Sequence, residues 1–99
     1  MYLLEIAGSA RRELAEIRAF ERTAIAREIQ EQLTREPTVP TRKRKLLEGV
    51  KPTFEAKPPV WELRIGEIRV FYDVDEGTMT VFVRAIRWKP PHKTTEEIL

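Results

Sequence analysis

The clearest alternation of apolar and polar residues lies in the segment WELRIGEIRVFYDVD, and it predicts a β-hairpin. Its two strands, Trp61–Ile65 and Ile68–Val74, are joined by Gly66-Glu67, whose glycine can adopt the positive φ of a two-residue turn. Apolar side chains alternate along both strands and share one face, which leaves Arg64 and Arg69 on the opposite face. The sequence therefore predicts a hairpin with one buried face and one face that presents arginines.

The N-terminal third of the chain predicts one strand and two helices. Tyr2–Ile6 is a mostly apolar run, as in an opening strand, and Ser9 is a suitable N-cap for the first helix. Apolar residues then recur at helical spacing from Ala10 onward, and again from about residue 21 to residue 34. Pro37 ends the second pattern, because the residue before proline is driven out of the α region. We expect the two helices to form a hairpin on one face of the sheet.

The segment 38–59 is rich in proline and contains the cluster Arg-Lys-Arg-Lys, so it is predicted to be irregular. After the hairpin, Asp75-Glu76-Gly77 predicts a turn. Met79–Arg87 alternates again and predicts a further strand, with Ala85 on one face and Ile86 on the other.

The C-terminal residues leave the sheet at the tandem prolines that follow Trp88. Thr94 and Glu97 have the spacing of a capping box, which predicts a short terminal helical turn. The element order is β-α-α-β-β-β. This order predicts an α+β fold with a largely antiparallel sheet and a two-helix hairpin on one face.

Composition is consistent with a single domain over residues 1–99. Hydrophobic residues make up 41% of the chain and charged residues 34%, while the net charge is only +2. Cysteine is absent and there is one histidine, which excludes disulfides, thiol catalysis and multi-histidine metal centres. No apolar run has the length of a membrane span. We expect no metal, no cofactor and no membrane partner.

Basic residues concentrate in two tracts that flank the hairpin, and this placement says more than the net charge. One tract extends from Arg42 to Lys51 with a single acid, and the other from Arg84 to Lys93 with none. A guanidinium on a mid-strand position suits a phosphate or a carboxylate. The tracts indicate either solvated surface or a patch that follows a nucleic-acid backbone, and their position favours the second interpretation.

Acid–base candidates are few. His92 is the only side chain whose unperturbed pKa lies near neutrality; it is either catalytic or an exposed loop residue. Glu62 is a second candidate base, or it simply pairs with an arginine. Trp61 and Tyr72 fall on the apolar alternation and are expected in the core, so Trp88 is the better candidate for stacking on a base.

The element order, the hairpin and the closing strand VFVRAIRWKPPHK resemble the RelE/ParE superfamily of type II toxin–antitoxin toxins, most closely its RelE-like branch. The similarity spans nearly the whole chain and is strongest in the signature W-x-L-R-x-G-x-x-R-V-x-Y, formed here by Trp61, Leu63, Arg64, Gly66, Arg69, Val70 and Tyr72. The resemblance implies a small cytoplasmic toxin that a cognate antitoxin holds inactive and that meets operator DNA only through the antitoxin complex. The RelE-like branch cleaves messenger RNA in the ribosomal A site, whereas the ParE branch inhibits DNA gyrase.

The resemblance also implies roles for particular residues. Arg69 matches the arginine that contacts phosphate and the transition state, Arg64 matches a basic position, and Lys89 lies near the basic position after the last strand. Together with His92 they form the predicted catalytic set. The predicted RNA-binding residues come from the two basic tracts: Arg42, Lys43, Arg44, Lys45, Lys51, Arg84, Arg87 and Lys93.

The function expected from these residues is a ribosome-dependent endoribonuclease that inhibits translation. A gyrase inhibitor of the ParE type is an alternative, as is a weakly active member that acts mainly by binding its antitoxin. The C-terminus departs from many active relatives because it has His92 but no tyrosine.

Overall fold

The central strands form where apolar and polar residues alternate, and the helices form where apolar residues recur every three or four positions. The computed structural model describes all 99 residues as a five-stranded sheet with three helices. The elements in chain order are β1 (Leu3–Ile6), α1 (Gly8–Ala15), α2 (Ala19–Leu33), β2 (Arg44–Leu47), β3 (Val60–Ile65), β4 (Ile68–Asp75), β5 (Thr80–Trp88) and α3 (Thr95–Ile98).

The strands lie in the spatial order β1-β5-β4-β3-β2. All neighbours pair antiparallel except β1, which runs parallel to β5. The prediction of an α+β fold with a largely antiparallel sheet and a helical hairpin is therefore confirmed. None of the helices has the length and hydropathy needed to span a membrane.

The sheet separates two apolar clusters. The larger one packs α1 and α2 against one face and includes Ile29, Leu33 and Tyr72, all fully or almost fully buried. The smaller one, on the opposite face, contains Phe71 and Leu99 and is covered by the segment before β3 and by α3. The helices α1 and α2 thus cover one face, and the short α3 with the segment before β3 covers the other face only in part.

The structure corrects the prediction that 38–59 is irregular throughout, because Arg44–Leu47 forms the edge strand β2. Its register pairs Arg44 with Leu63 and Leu47 with Val60 of β3. Local sequence favours a charged loop here, and the strand exists because β3 offers a free edge for hydrogen bonding.

A second correction concerns the two faces of β5. Phe71 pairs with Ala85 but Tyr72 pairs with Val83, so Arg84 is an extra residue in a β-bulge. The bulge reverses which face each later side chain of β5 occupies. Ala85 therefore belongs to the smaller cluster and Ile86 to the larger one.

The start of α1 also differs from the prediction. The helix begins at Gly8, with Ala7 in the N-cap position and no side-chain cap. Ser9 therefore lies inside the first turn, and its hydroxyl donates to the Arg84 carbonyl oxygen at 3.4 Å instead. The capping box predicted at Thr94 and Glu97 is confirmed at the start of α3.

Candidate functional site

A cleft with no apolar lining lies on the face of the sheet opposite α1 and α2, and we call it the polar cleft. Its volume is about 260 Å³. Six cations, one acid and one hydroxyl line it: Arg42, Lys43, Lys45, Arg64, Arg69, Lys89, Glu62 and Thr95. Three of the four predicted catalytic residues and three of the eight predicted RNA-binding residues therefore meet in one place.

Arg64 and Arg69 occupy directly opposed positions of β3 and β4. Opposed residues in an antiparallel pair have Cα atoms about 5 Å apart, so the two guanidinium groups are close neighbours. The turn between the strands is possible because Gly66 adopts a φ of +57°. Arg64 is exposed, and its guanidinium makes no hydrogen bond or ion pair within the protein.

Arg69 is held in place by the turn itself. Only 7% of the residue is exposed, and its Nη1 donates to the carbonyl oxygens of Gly66 at 2.7 Å and Ile68 at 3.0 Å. Burial lowers the pKa of Arg69, the Glu62 carboxylate opposes that effect, and the charge of Arg64 adds to it. Its Nη2 donates to no protein atom, so this edge of a fixed guanidinium is available to an anion.

Glu62 is the only acid in the polar cleft, and 8% of its side chain is exposed. Its Oε2 accepts a hydrogen bond from Thr95 Oγ1 at 2.7 Å and lies 3.9 Å from Arg69 Nε. Its Oε1 accepts no hydrogen bond from the protein and is not sealed from solvent. One carboxylate oxygen is therefore fixed, and the other has no partner in the protein.

Thr95 reaches the cleft because it is the first residue of α3. In the capping box at the start of this helix, the Thr94 hydroxyl accepts from the Glu97 N–H and the Glu97 carboxylate accepts from the Thr94 N–H. Hydrogen bonds from the backbone and hydroxyl of Thr94 lower the pKa of Glu97.

Three lysines line the cleft. Lys45 of β2 lies opposite Glu62 in the β2–β3 register. Lys89 enters where the chain leaves β5, and its N–H donates to the Glu67 carbonyl oxygen at 2.7 Å. Lys43 Nζ lies 3.4 Å from a carboxylate oxygen of Glu28 on α2, at the outer margin of the cleft.

Three predicted RNA-binding arginines are engaged within the protein: Arg44, Arg84 and Arg87. Arg44 is only 8% exposed, and its guanidinium donates to Val39 and to both oxygens of Gln32. Arg84, the extra residue of the bulge, forms an ion pair with Asp73 at 2.7 Å. The hydrogen bonds that Arg84 donates to the Asp73 carboxylate are the main reason why the pKa of Arg84 is raised.

Arg87 joins separate parts of the molecule. Its guanidinium donates to Glu13 of α1 at 3.2 Å, to the Thr53 hydroxyl at 3.2 Å and to the Ile98 carbonyl oxygen at 2.8 Å. It also lies over the ring of Phe54. The remaining predicted residues, Lys51, His92 and Lys93, are exposed and do not line the polar cleft.

In the sequence, His92 nevertheless falls between two residues that line the cleft, three positions after Lys89 and three before Thr95. Three residues span at most about 11 Å, which keeps His92 near the margin of the cleft.

The prediction that Trp61 and Tyr72 lie in the core is confirmed. Trp61 and Tyr72 are buried and stack on each other with ring centroids 6.3 Å apart. Trp88 is 59% exposed, and its indole N–H donates to the Glu67 carboxylate. Trp88 does not line the polar cleft.

Thr95 is the cleft residue that sequence reasoning missed, and Glu62 was only an alternative. The capping-box pattern locates the start of α3 but carries no information about what its first residue contacts. Thr95 and Glu62 are 33 positions apart, and only the docking of α3 brings them together.

Comparison with known families gives a match for most of the chain. The model of the family described as the ParE toxin of the type II toxin–antitoxin system parDE matches residues 4–87. A sequence search of curated proteins finds no match.

Solved structures of similar shape come from bacteria and an archaeon. The RelBE2 toxin–antitoxin complex from Mycobacterium tuberculosis contains a chain with a TM-score of 0.67 and 24% identity, covering 89% of this chain and 98% of that one. The isolated E. coli RelE toxin has a TM-score of 0.66 and 17% identity, and the match covers 98% of this chain and 94% of that one. A chain of the RelE–RelB complex from Pyrococcus horikoshii has a TM-score of 0.62 and 19% identity, and the match covers 91% of this chain and 97% of that one. At these identities the likeness concerns the fold.

Proposed function

The chain belongs to the ParE toxin family of type II toxin–antitoxin systems, within the RelE/ParE superfamily, and on that premise we propose that it is a ribosome-dependent endoribonuclease. The observation that carries this proposal is the polar cleft, in which six cations surround one acid with no apolar lining. A cavity of this composition suits a phosphodiester far better than an apolar ligand. The substrate is messenger RNA, and its cleavage inhibits translation in the cytoplasm.

The cleavage reaction uses the 2′-OH of the RNA as the nucleophile and therefore needs no cofactor. Its transition state carries extra negative charge on the phosphate oxygens. Arg69 is suited to stabilise that charge because its guanidinium is fixed while its Nη2 is free. The exposed Arg64 and the half-buried Lys89 add charge from the neighbouring strand and from the end of β5.

The remaining cations of the cleft, Arg42, Lys43 and Lys45, extend it toward β2 and bind the RNA backbone on either side of the scissile phosphate. Lys51 and Lys93 are exposed and contact nucleic acid further out. These contacts determine the affinity for RNA and its orientation in the cleft, whereas Arg69 determines the rate of cleavage.

His92 is the proposed acid that protonates the leaving 5′-oxygen. Its exposed position between Lys89 and Thr95 supports this role, since a substrate in the cleft passes near it.

The partner that restrains the activity is a cognate antitoxin. Related chains of known structure come from complexes with an antitoxin, RelBE2 of Mycobacterium tuberculosis and RelE–RelB of Pyrococcus horikoshii. We infer the same kind of partner here, with operator DNA bound only by the toxin–antitoxin complex.

A second candidate function is inhibition of DNA gyrase, which is binding without catalysis. It is favoured by the description of the matching family, which names the ParE toxin of parDE. If the protein inhibits gyrase, its activity does not require the Arg69 guanidinium to contact a phosphate.

In vitro translation with primer extension separates these functions. Purified protein added to a translation reaction is expected to produce new message ends only when ribosomes are present. A parallel gyrase supercoiling assay should be unaffected. Intact message with inhibited supercoiling would select the gyrase function, and no effect in either assay would leave a protein that acts only by binding its antitoxin.

A further inference from the structure

One acid among six cations would ordinarily be expected to pair with the nearest arginine. The contact between Glu62 Oε2 and Arg69 Nε is 3.9 Å long, which is beyond hydrogen-bond distance. Arg69 gives the hydrogens of its Nη1 to two backbone carbonyl oxygens instead. The shortest bond that Glu62 makes is the one from the Thr95 hydroxyl, at 2.7 Å.

The position of Thr95 is determined by more than this one bond. Its helix begins in a capping box, Leu99 is buried in the smaller apolar cluster, and the Ile98 carbonyl oxygen accepts from Arg87. The hydroxyl of Thr95 is therefore presented to the cleft by a segment anchored at both ends. It holds the Glu62 carboxylate through Oε2, which leaves Oε1 without a partner in the protein.

We propose that Glu62 is the general base of the cleavage reaction and that Thr95 is its positioning residue; this rests on the proposed function. Glu62 Oε1 takes the proton of the 2′-OH while the 2′-oxygen forms a bond to phosphorus. The bond from phosphorus to the 5′-oxygen breaks, and that oxygen takes a proton from the imidazolium of His92. The products are a 2′,3′-cyclic phosphate and a 5′-hydroxyl.

The charged groups around Glu62 in the cleft are all cations. They face it from its own strand, from both neighbouring strands and from the segments that precede β2 and follow β5: Arg64, Lys45, Arg69, Arg42, Lys43 and Lys89. From α3 only the neutral Thr95 lines the cleft.

The first test is single-turnover cleavage of message on programmed ribosomes by Glu62→Gln. The expected rate falls at least about 100-fold, because general base catalysis is typically worth 10²-fold to 10⁴-fold. The acidic limb of the pH–rate profile should disappear as well. Glu31→Gln, at an exposed position of α2, makes the same change of charge outside the cleft and should leave rate and profile unchanged.

The second test concerns Thr95. Thr95→Val keeps the shape of the side chain but removes the donor, and it should slow cleavage about 10-fold or more through misplacement of the carboxylate. It should also change the pH–rate profile, because the lost hydroxyl donates directly to the carboxylate that acts as the base. Thr95→Ser restores the hydroxyl donor, so it should recover both the cleavage rate and the pH–rate profile of the unmodified protein.

Thr94→Ala separates positioning from simple loss of the helix. It removes the hydroxyl of the capping box but keeps the Thr95 hydroxyl. If Thr94→Ala cleaves as slowly as Thr95→Val and Thr95→Ser does not recover the rate, the loss follows from the helix and not from the hydroxyl, and the positioning role of Thr95 is wrong.

The proposal and the function beneath it fail in different ways. Full cleavage by Glu62→Gln, with an unchanged pH profile, overturns the base assignment while leaving the endoribonuclease in place. If the unmodified protein cleaves no message on ribosomes, both are wrong.

Discussion

The buried Arg69 and the partly buried Arg84 lie on the same face of the sheet but differ in what holds their guanidinium groups. Nε and Nη2 of Arg84 both donate hydrogen bonds to the carboxylate of Asp73, which is 2% exposed. Arg69 is anchored by neutral carbonyl oxygens and retains a free edge. An arginine bound to a carboxylate has little left for phosphate, whereas one anchored by carbonyls keeps its full charge available.

The Asp73–Arg84 pair is therefore expected to act on stability. Asp73→Ala leaves the Arg84 guanidinium and the Lys57 N–H without their acceptor, so the free energy of unfolding should fall by about 3 kcal/mol. Urea unfolding measures the change. The surface variant Glu31→Ala should lie within about 0.5 kcal/mol of the unmodified protein, and an equally small effect for Asp73→Ala would contradict the structural role.

At the scale of elements, the β3–β4 hairpin carries the centre of the site. Its turn does two things, since Gly66 supplies the positive φ and its carbonyl oxygen anchors Arg69. A Cβ at this position would meet no atom within 4 Å, so any cost of substitution comes from the backbone conformation alone.

Gly66→Ala is expected to lower the free energy of unfolding by about 1 to 2 kcal/mol, because alanine is disfavoured at this φ. Gly66→Asn should lose less, since asparagine tolerates the left-handed region. Thermal unfolding of the two variants side by side measures the difference. Equal losses would indicate a steric cause and not a conformational one.

The same hairpin shows what the sequence could predict. Alternation and a glycine turn are local signals, and they located β3, β4 and the face that carries Arg64 and Arg69. The strand β2 has no such signal, because four residues with two charges resemble a loop until a neighbouring edge is available. Nonlocal pairing is also why the parallel position of β1 beside β5 could not be read from the chain.

The bulge at Arg84 shows a second limit. One extra residue reverses the faces of everything that follows in the strand, and nothing in the local pattern marks where it falls. Likewise, Arg44 belongs to the same cluster as Lys43 and Lys45 in sequence, but alternation along β2 turns it inward while they reach the cleft.

At the scale of the whole molecule, charge is localised even though the total is only +2. Six cations converge on one cleft, and the opposite face is covered by helices with mixed charges. A localised cluster binds a polyanion by releasing its counterions, so affinity should depend steeply on salt concentration.

We expect the logarithm of the RNA association constant to fall with the logarithm of salt concentration with a slope of up to about −4, as for six contacts to single-stranded RNA. Lys45→Gln should make the slope shallower by about 0.7. Arg27→Gln, on the exposed side of α2, is the matched control. Fluorescence anisotropy with a 2′-deoxy-substituted RNA gives both values, and identical slopes for the two variants would place the RNA elsewhere.

The most direct measurement is the single-turnover rate of message cleavage on programmed ribosomes by Arg69→Ala, with Arg27→Ala as the control for loss of one positive charge. Removal of a group that stabilises the transition state should lower the rate about 10²-fold to 10³-fold, while Arg27→Ala cleaves normally. Arg69→Lys, which retains charge without the planar fork, should also be slow and covers the case in which the alanine variant folds poorly. A folded Arg69 variant that cleaves as fast as the unmodified protein would contradict the assignment of the polar cleft as the site of cleavage.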